Sequence, residues 1–300
     1  MASDVATVRG QQTTLEHKPP RSRWWREVGW RHVIGVVAIA YCLLPLLYIL
    51  SASLNPGGSL TGSNQLFKTI DFTNYSDLGS TDFSTWAVNS LIVASVTAVG
   101  TVLMCASAAY AFSRFRFTGR RATLTGLLLV QMFPQTLAFV AIFLLLLSIG
   151  DVFPVLGLNS RLALIAVYLG AALGTNAFLM YGFFNTIPRE LDEAAKIDGA
   201  THAQIFVTII LRLVAPILAV VGLLSFIATY GEFVIARVVL QTPENFTLAV
   251  GLYNWAADER NAPWGLFAAG AVIASVPIIV LFQFLQRYIV GGLTSGSVKG

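Results

Sequence analysis

The sequence has 300 residues, of which 56% are hydrophobic and only 11% are charged. Soluble globular domains average about 45–50% apolar and about 25% charged residues, so this composition excludes an ordinary soluble domain and predicts an integral membrane protein. The net charge of +4 needs no nucleic-acid partner, because basic residues gather on the cytoplasmic side of membrane proteins.

The residue pattern contains no recognisable catalytic or metal site. Cys42 and Cys105 lie inside apolar runs, and His17, His32 and His202 are far apart in the sequence, so no set of metal ligands is formed. The phosphate loop G-x-x-x-x-G-K-[ST] and the nucleophile motif G-x-S-x-G are both missing from the sequence. We therefore predict no catalytic residue and no metal, and any nucleotide must bind to another chain.

The N-terminal 32 residues form a polar, basic tail, and the uncharged run 33–54 follows it. At 1.5 Å per residue, this run is long enough to cross a hydrocarbon core of about 30 Å. A cleaved signal peptide is the alternative, but its apolar region is normally about 7–15 residues long. The run therefore predicts a permanent transmembrane helix.

Five further uncharged runs are each long enough to span a bilayer. They cover residues 86–112, 122–149, 162–187, 213–231 and 264–286. We therefore predict an all-α chain with six transmembrane helices in one membrane domain, 33–290, followed by a polar tail, 291–300. The larger polar segments are the loops 55–85, 188–212 and 237–263.

Basic residues predict the orientation, since Lys and Arg are biased towards cytoplasmic loops. With the N-terminus inside, the inner segments hold 15 Lys and Arg residues and the outer segments hold four. Both termini and the loop 188–212 are therefore predicted to be cytoplasmic, and the loops 55–85 and 237–263 to face outward.

Ionisable residues are missing from the six predicted spans. A charge inside a span costs at least about 2.5–3.5 kcal/mol, so it is retained only where function requires it. Ion-coupled secondary carriers usually have such charges in their spans. Their absence here makes a secondary carrier the weaker alternative. Polar residues in or beside the spans are candidates either for hydrogen bonds between helices or for contact with a solute. These pathway or gate candidates are Gln131, Gln135, Asn176, Tyr230 and Glu232. Because they are few, we expect a second membrane subunit.

The loop 188–212 is predicted to hold two short helices. Pro188 suits a first helical turn, acids follow it, and Gly199 is a natural helix stop. Thr201 and Gln204 then have the T-x-x-Q spacing of a capping box, which predicts a second helix leading into the fifth span. Two roles stay open for the first of these helices. It is either a rigid lever that enters a groove of another protein or an ordinary helix that lies on the membrane surface.

Residues 193–199 read E-A-A-K-I-D-G. This pattern, between the fourth and fifth spans, resembles the signature loop of permease subunits of bacterial binding-protein-dependent ABC importers. The longer segment P-R-E-L-D-E-A-A-K-I-D-G-A at 188–200 resembles the carbohydrate-importer branch of that family. Segments that resemble the same branch, and in part its maltose permease subunits, are 89–91, 109–115, 216–220, 224–228, 247–251, 286–287 and 292–300.

The resemblance implies a type I ABC importer permease in the bacterial plasma membrane. Its expected partners are a second permease subunit in a heterodimer, an ATPase homodimer that holds ATP and Mg, and an extracytoplasmic sugar-binding protein. No cofactor is expected in this chain itself. The residues expected to couple to the ATPase are Glu190, Asp192, Glu193, Ala194, Ala195, Lys196, Asp198, Gly199 and Ala200. The loop expected to contact the binding protein holds Tyr253, Asn254, Trp255, Asp258, Glu259 and Arg260.

The implied substrate is maltose or maltodextrin, with trehalose or another disaccharide as the alternative. An assembly or scaffold protein is a further alternative class. One departure from the family pattern is Leu211-Arg212, where the family usually has Leu-Pro. Because proline breaks a helix, its absence predicts that the second loop helix runs straighter into the fifth span.

Overall fold

The computed structural model describes residues 25–56, 66–133, 135–257 and 262–295, and in these residues the chain is helical with no β-strand. The all-α prediction is therefore confirmed. We number the helices α1 (Trp30–Ser53), α2 (Thr73–Asp77), α3 (Phe83–Arg114), α4 (Arg120–Gln131), α5 (Phe139–Val152), α6 (Arg161–Phe184), α7 (Glu190–Ile197), α8 (His202–Leu213), α9 (Ala215–Tyr230), α10 (Val234–Val239), α11 (Leu248–Ala256) and α12 (Trp264–Ser295).

The chain divides into two units, Met1–Tyr48 and Ile49–Gly300. The described part of the first unit is mainly the start of α1, whose apolar side chains, including Val36 and Tyr41, are exposed. A long helix with exposed apolar side chains on all sides is suited to lipid or to another hydrophobic helix.

Four helices are long and apolar enough to cross a membrane, namely Glu27–Ser53, Phe83–Arg114, Arg161–Phe184 and Trp264–Gln286. A bent pair, His202–Leu213 with Ala215–Tyr230, gives a fifth if it is taken as one span. Several membrane-length helices are thus present among the described residues. The count of six spans stays a prediction.

The third predicted span, 122–149, is not one continuous helix in the structure. α4 ends at Gln131, a 3₁₀ turn occupies Gln135–Ala138, and α5 begins at Phe139. The N–H of Met132 bonds to the carbonyl of Leu129 at 3.1 Å, an i→i+3 contact that tightens the end of α4. Pro134, which lies outside the described residues, is a helix breaker at this point of the sequence.

The second unit is built around α3, which packs against α6 and α9, while α9 also packs against α12. Small side chains on α3 are buried, including Ala94, Ala106 and Ala109. Small residues let helices approach closely inside a membrane, where van der Waals packing is a main source of association. The buried alanines of α3 therefore allow its neighbouring helices to pack closely against it.

Two apolar clusters lie along these helices. One surrounds Trp86 and Val93 near the start of α3. The other surrounds Cys105 near its end and includes Met180 and Phe184 of α6. The second cluster also contains Ile205 and Ile210 of α8, so the loop after α6 is packed onto the same helices that cross the membrane.

The path from α8 into α9 is not straight, so the expectation drawn from Leu211-Arg212 is wrong. The two helices meet at an angle of 79°. Val214, with φ −93° and ψ 6°, separates them, and Pro216 lies in the first turn of α9. Proline has no N–H to donate and its ring clashes with the carbonyl four residues earlier, so Pro216 supplies the break.

Candidate functional site

The loop between α6 and α9 carries a short, sharply ended helix, α7. Its first turn is acidic and Lys196 lies in its last turn, which matches the helix dipole at both ends. Gly199 has φ +84°, and its N–H bonds to the carbonyl of Lys196 at 3.0 Å. The N–H of Ala200 reaches the carbonyl of Ala195 at 2.9 Å. These two bonds form a Schellman motif, which ends the helix at a defined residue.

One side of α7 faces the protein and the other is exposed. Asp192 and Ala195 are buried, and Ala200 is half-buried. The other residues predicted to couple are exposed, namely Glu190, Glu193, Ala194, Lys196, Asp198 and Gly199. The structure therefore divides the predicted set into a surface available to a partner and an anchor that holds the helix in place.

Two exposed apolar residues on α7 were missed by the sequence reasoning. Leu191 is 42% exposed and Ile197 is 86% exposed. Together with Ala194 they follow an i, i+3 spacing, so they lie along one row of the helix surface. The signal was present in the sequence as apolar residues three apart in a polar segment. We refer to Leu191, Ala194 and Ile197 as the apolar row.

The buried side of α7 is held by an ion pair. Arg114, the last residue of α3, places its Nε 2.6 Å from Oδ2 of Asp192, and the two side chains are only 5% and 9% exposed. The same guanidinium donates to the carbonyls of Phe184 at 3.3 Å and Ile187 at 3.2 Å. Removing one member of such a buried pair costs about 3–5 kcal/mol. Neither residue's pairing was anticipated from the sequence.

Further hydrogen bonds join the same segments. Arg189 donates to the carbonyl of Ser113 at 2.8 Å, and the Ser113 hydroxyl donates to Oδ1 of Asn185 at 3.0 Å. These contacts connect the end of α3 to both sides of the α6–α7 connection. We refer to the five residues that make these contacts as the α3 clamp, namely Ser113, Arg114, Asn185, Arg189 and Asp192.

α8 begins with the capping box that the sequence predicted. The Thr201 hydroxyl accepts from the N–H of Gln204, and the Gln204 side chain accepts from the N–H of Thr201 at 2.7 Å. The Tyr110 hydroxyl donates to the carbonyl of His202 at 3.3 Å, and the Tyr110 ring lies 4.9 Å from that of Phe206. The second loop helix is thereby attached to α3 as well.

A cavity of about 290 Å³, lined by both polar and apolar side chains, lies between α6 and α9. Its polar lining residues are Tyr168, Asn176, Ser225, Thr229 and Glu232. Asn176 and Glu232 were among the pathway candidates, whereas Tyr168, Ser225 and Thr229 were not. Ser225 and Thr229 are four residues apart on an otherwise apolar helix, a spacing that could have indicated a polar face.

Glu232 has a structural partner for each carboxylate oxygen. Oε1 accepts from the N–H of Ile235 at 2.9 Å and Oε2 accepts from the N–H of Ala236 at 3.0 Å, which stabilises the start of α10. The Tyr168 hydroxyl donates to the same Oε2. The carboxylate therefore connects α6 to α10 at one end of the cavity.

The remaining pathway candidates lie elsewhere. Gln131 donates to the carbonyl of Ala171 at 2.8 Å and joins α4 to α6. Tyr230 is buried and stacks on Phe226 at 5.5 Å. The side chain of Gln135 lies outside the described residues. Gln131 and Tyr230 thus make contacts between or within helices, and the structure does not bring them into the cavity.

The segment predicted to contact a binding protein is partly described. Tyr253 on α11 is 49% exposed and lies 4.4 Å from the Phe233 ring, and Asn254 is half-buried. Trp255 is half-buried, with its ring 5.0 Å from that of Trp86. Asp258, Glu259 and Arg260 lie outside the described residues.

The loop before α11 is attached to the start of α3. Nδ2 of Asn89 donates to the carbonyls of Glu244 at 2.8 Å and Phe246 at 3.0 Å, and Nε1 of Trp86 donates to the carbonyl of Pro243 at 3.0 Å. A hydrogen bond with the Thr242 side chain lowers the pKa of the Glu244 carboxyl, so this carboxylate stays charged at neutral pH. α11 is therefore presented on a rigid base.

The described residues thus combine several membrane-length helices, an exposed short helix anchored to them and a cavity between two of them, an arrangement suited to a membrane permease. Residues 103–295 match the family model of the binding-protein-dependent transport system inner membrane component, and the chain belongs to this family.

Three comparisons describe the likeness. The chain is 43% identical over 260 residues to the galactooligosaccharides transport system permease protein GanQ of Bacillus subtilis (strain 168), covering 85% of this chain and 90% of that protein. It is 39% identical over 295 residues to the maltose/maltodextrin transport system permease protein MalG of Photorhabdus laumondii, covering 94% and 98%. A bacterial ABC transporter involved in the import of the acidic polysaccharide alginate matches with a TM-score of 0.74 and 26% identity, covering 90% of this chain and 99% of that one.

The resemblance found in the sequence and the ABC importer permease fold are therefore confirmed. The chain is a membrane-embedded permease subunit of a binding-protein-dependent ABC importer. It is a transport permease and not an enzyme.

Proposed function

We propose that this chain forms half of the translocation path of an ATP-driven importer of maltose and maltodextrins. Supporting this substrate are the maltose/maltodextrin relatives, of which the Photorhabdus laumondii protein covers 94% of the chain. Galactooligosaccharides are the second candidate, favoured by the 43% identity to a permease for these sugars. Trehalose or another disaccharide remains a third candidate for the same path.

The polar residues of the cavity between α6 and α9 support a neutral, hydroxyl-rich substrate. Apart from Glu232, its polar lining consists of hydroxyl and amide groups, which donate to and accept from sugar hydroxyls. The Glu232 carboxylate is already engaged by two backbone N–H groups and by Tyr168. In this proposal Asn176, Ser225 and Thr229 contact the passing sugar, and a second permease closes the other half of the path.

α7 is the coupling helix in this proposal, and the observation that carries it is the exposed apolar row on a helix whose other side is buried. A partner groove would bury Leu191 and Ile197 and pair with the surrounding charges Glu190, Glu193 and Lys196. The partner is an ATPase homodimer that holds ATP and Mg. The charge distribution supports an inward position for α7 and both termini, since 15 of the 19 Lys and Arg residues lie on the same predicted side.

On the opposite side, an extracytoplasmic sugar-binding protein docks on α11 and the residues after it. The exposed Tyr253 ring and the half-buried Asn254 are the described contacts. Aromatic side chains of this kind are enriched in protein interfaces. Asp258, Glu259 and Arg260 complete the proposed contact.

The test is sugar uptake into proteoliposomes that contain the whole transporter, with labelled maltotriose, galactooligosaccharide and trehalose supplied separately. We expect accumulation of maltotriose that requires both ATP and the binding protein and that persists in the presence of a protonophore. Selective uptake of galactooligosaccharide or trehalose would show that this sugar, and not maltose or a maltodextrin, is the substrate. Uptake driven by an ion gradient without the ATPase would support a secondary carrier, and normal uptake in cells that lack the chain would support a scaffold role.

A further inference from the structure

The α3 clamp joins the proposed coupling helix directly to the end of a membrane-crossing helix. Asp192 lies on the buried side of α7, opposite the exposed residues, and its carboxylate meets Arg114 at 2.6 Å. Arg114 is the last residue of α3, and α3 contacts both α6 and α9. The Arg114–Asp192 pair is therefore a direct contact through which a displacement of α7 reaches α3.

The connection that runs from α7 through α8 to α9 bends sharply. α8 continues from Gly199 to Val214, where the chain turns by 79° before α9 starts. A push along α8 is consequently not aligned with α9, because the two axes are close to perpendicular. The clamp, in contrast, ends on the last turn of α3 itself.

The chemistry of the clamp suits a stiff connection. Arg114 has a planar guanidinium in a rigid fork. Its Nε lies 2.6 Å from Oδ2 of Asp192 as an ion pair, while its two terminal nitrogens donate to the carbonyls of Phe184 and Ile187 and to the Ser113 hydroxyl. Salt screens a buried ion pair only weakly. An exposed ion pair would not hold the helix in one position.

We propose that Arg114 is a positioning residue for energy coupling: through Asp192 it makes α7 move as one body with the end of α3, so that ATPase motion reaches the cavity between α6 and α9. This role rests on the proposed function of α7. The clamp is not needed for the partner to dock, since the docking residues lie on the opposite side of the helix.

The experiment measures sugar molecules transported per ATP hydrolysed in proteoliposomes that contain the complete transporter. Asp192→Asn keeps the size and shape of the side chain but removes the charge, and Arg114→Met keeps much of the chain length without any donor. We expect both variants to retain ATPase subunits on purification and to hydrolyse ATP, while the transport-to-hydrolysis ratio falls at least tenfold. Arg114→Lys keeps the charge without the fork, and its ratio should fall between those of the wild type and Arg114→Met.

Arg116→Met is the matched control, because Arg116 is an exposed arginine two residues further along the chain. Its ratio should equal that of the wild type. A wild-type ratio in Arg114→Met and Asp192→Asn would overturn the proposal. So would loss of ATPase subunits from both variants, since the pair would then serve assembly and not transmission. Failure of the wild-type complex to bind ATPases or to transport sugar would instead refute the proposed function.

Discussion

Substitutions at Gly199 test whether α7 must end at that residue. Its φ of +84° lies in the left-handed region, and a Cβ built there meets no atom within 4 Å. The cost of adding a side chain is therefore conformational and not steric within this chain. For an L-residue this conformational cost is about 1–2 kcal/mol. A cost of that size changes the ratio of correctly ended to incorrectly ended helix by about 5–30-fold.

This reasoning predicts an order among variants and not only a loss. Asn adopts the left-handed conformation more readily than other non-glycine residues, and β-branched residues adopt it least. Sugar uptake and ATPase retention should therefore decrease in the order Gly199, Gly199→Asn, Gly199→Ala, Gly199→Val. Gly79→Ala is the control, because Gly79 also has open space around its Cβ position but no positive φ, and it should behave as the wild type.

The assay is ATPase co-purification with the permease, followed by uptake in proteoliposomes, at equal amounts of inserted permease. If a partner surface packed tightly against Gly199 set the requirement, side-chain size would decide the order, and Gly199→Asn would be worse than Gly199→Ala. That result would refute the conformational argument. It would show that the glycine is needed for close approach of another chain.

Three further substitutions test other parts of the structure. Gly251→Ala should lower the thermal unfolding midpoint of the purified complex by the equivalent of about 1–3 kcal/mol, because the added Cβ would lie 2.0 Å from Cε3 of Trp86. An unchanged midpoint would contradict the close packing of Gly251 against Trp86. Ile197→Asp should reduce ATPase co-purification without changing the amount of inserted permease, because it places a charge in the apolar row. If the ATPase still co-purified fully, the docking surface would lie elsewhere. Glu232→Gln should reduce uptake while the ATPase stays attached, because it weakens the hydrogen bonds that join α6 to α10 beside the cavity, and such bonds to a charged group contribute about 1.5–3 kcal/mol. Wild-type uptake would show that transport does not need this connection.

Local patterns in the sequence predicted local structure well. The capping box of Thr201 and Gln204 and the helix end at Gly199 depend on residues within one turn of each other, so their spacing carries enough information. The resemblance to the permease family begins from the same kind of signal, a short motif at 193–199. For this reason the class of protein could be predicted from the sequence.

Contacts between distant segments could not be predicted in this way. Asp192 was assigned to the docking set by its place in the motif, but α3 covers it and pairs it with Arg114. Trp255 was assigned to an outer contact, yet the structure places its ring against Trp86. Which side of a short helix is buried depends on a neighbour that is far away in the sequence, so the sequence alone did not show which residues of α7 face a partner.

The bend before α9 shows how a local rule can be applied at the wrong residue. The missing proline at Arg212 suggested a straighter path, since proline removes a backbone donor and clashes with the carbonyl four residues earlier. Pro216 is four residues after Arg212, so its clash falls on the Arg212 carbonyl. The helix accordingly ends at Leu213, and Pro216 lies in the first turn of α9, a position where proline is well tolerated. A break near Arg212 therefore persists, although the proline lies further along the chain. Because of this sharp turn, the α3 clamp connects α7 to the bundle more directly than the route through α8 and α9 does.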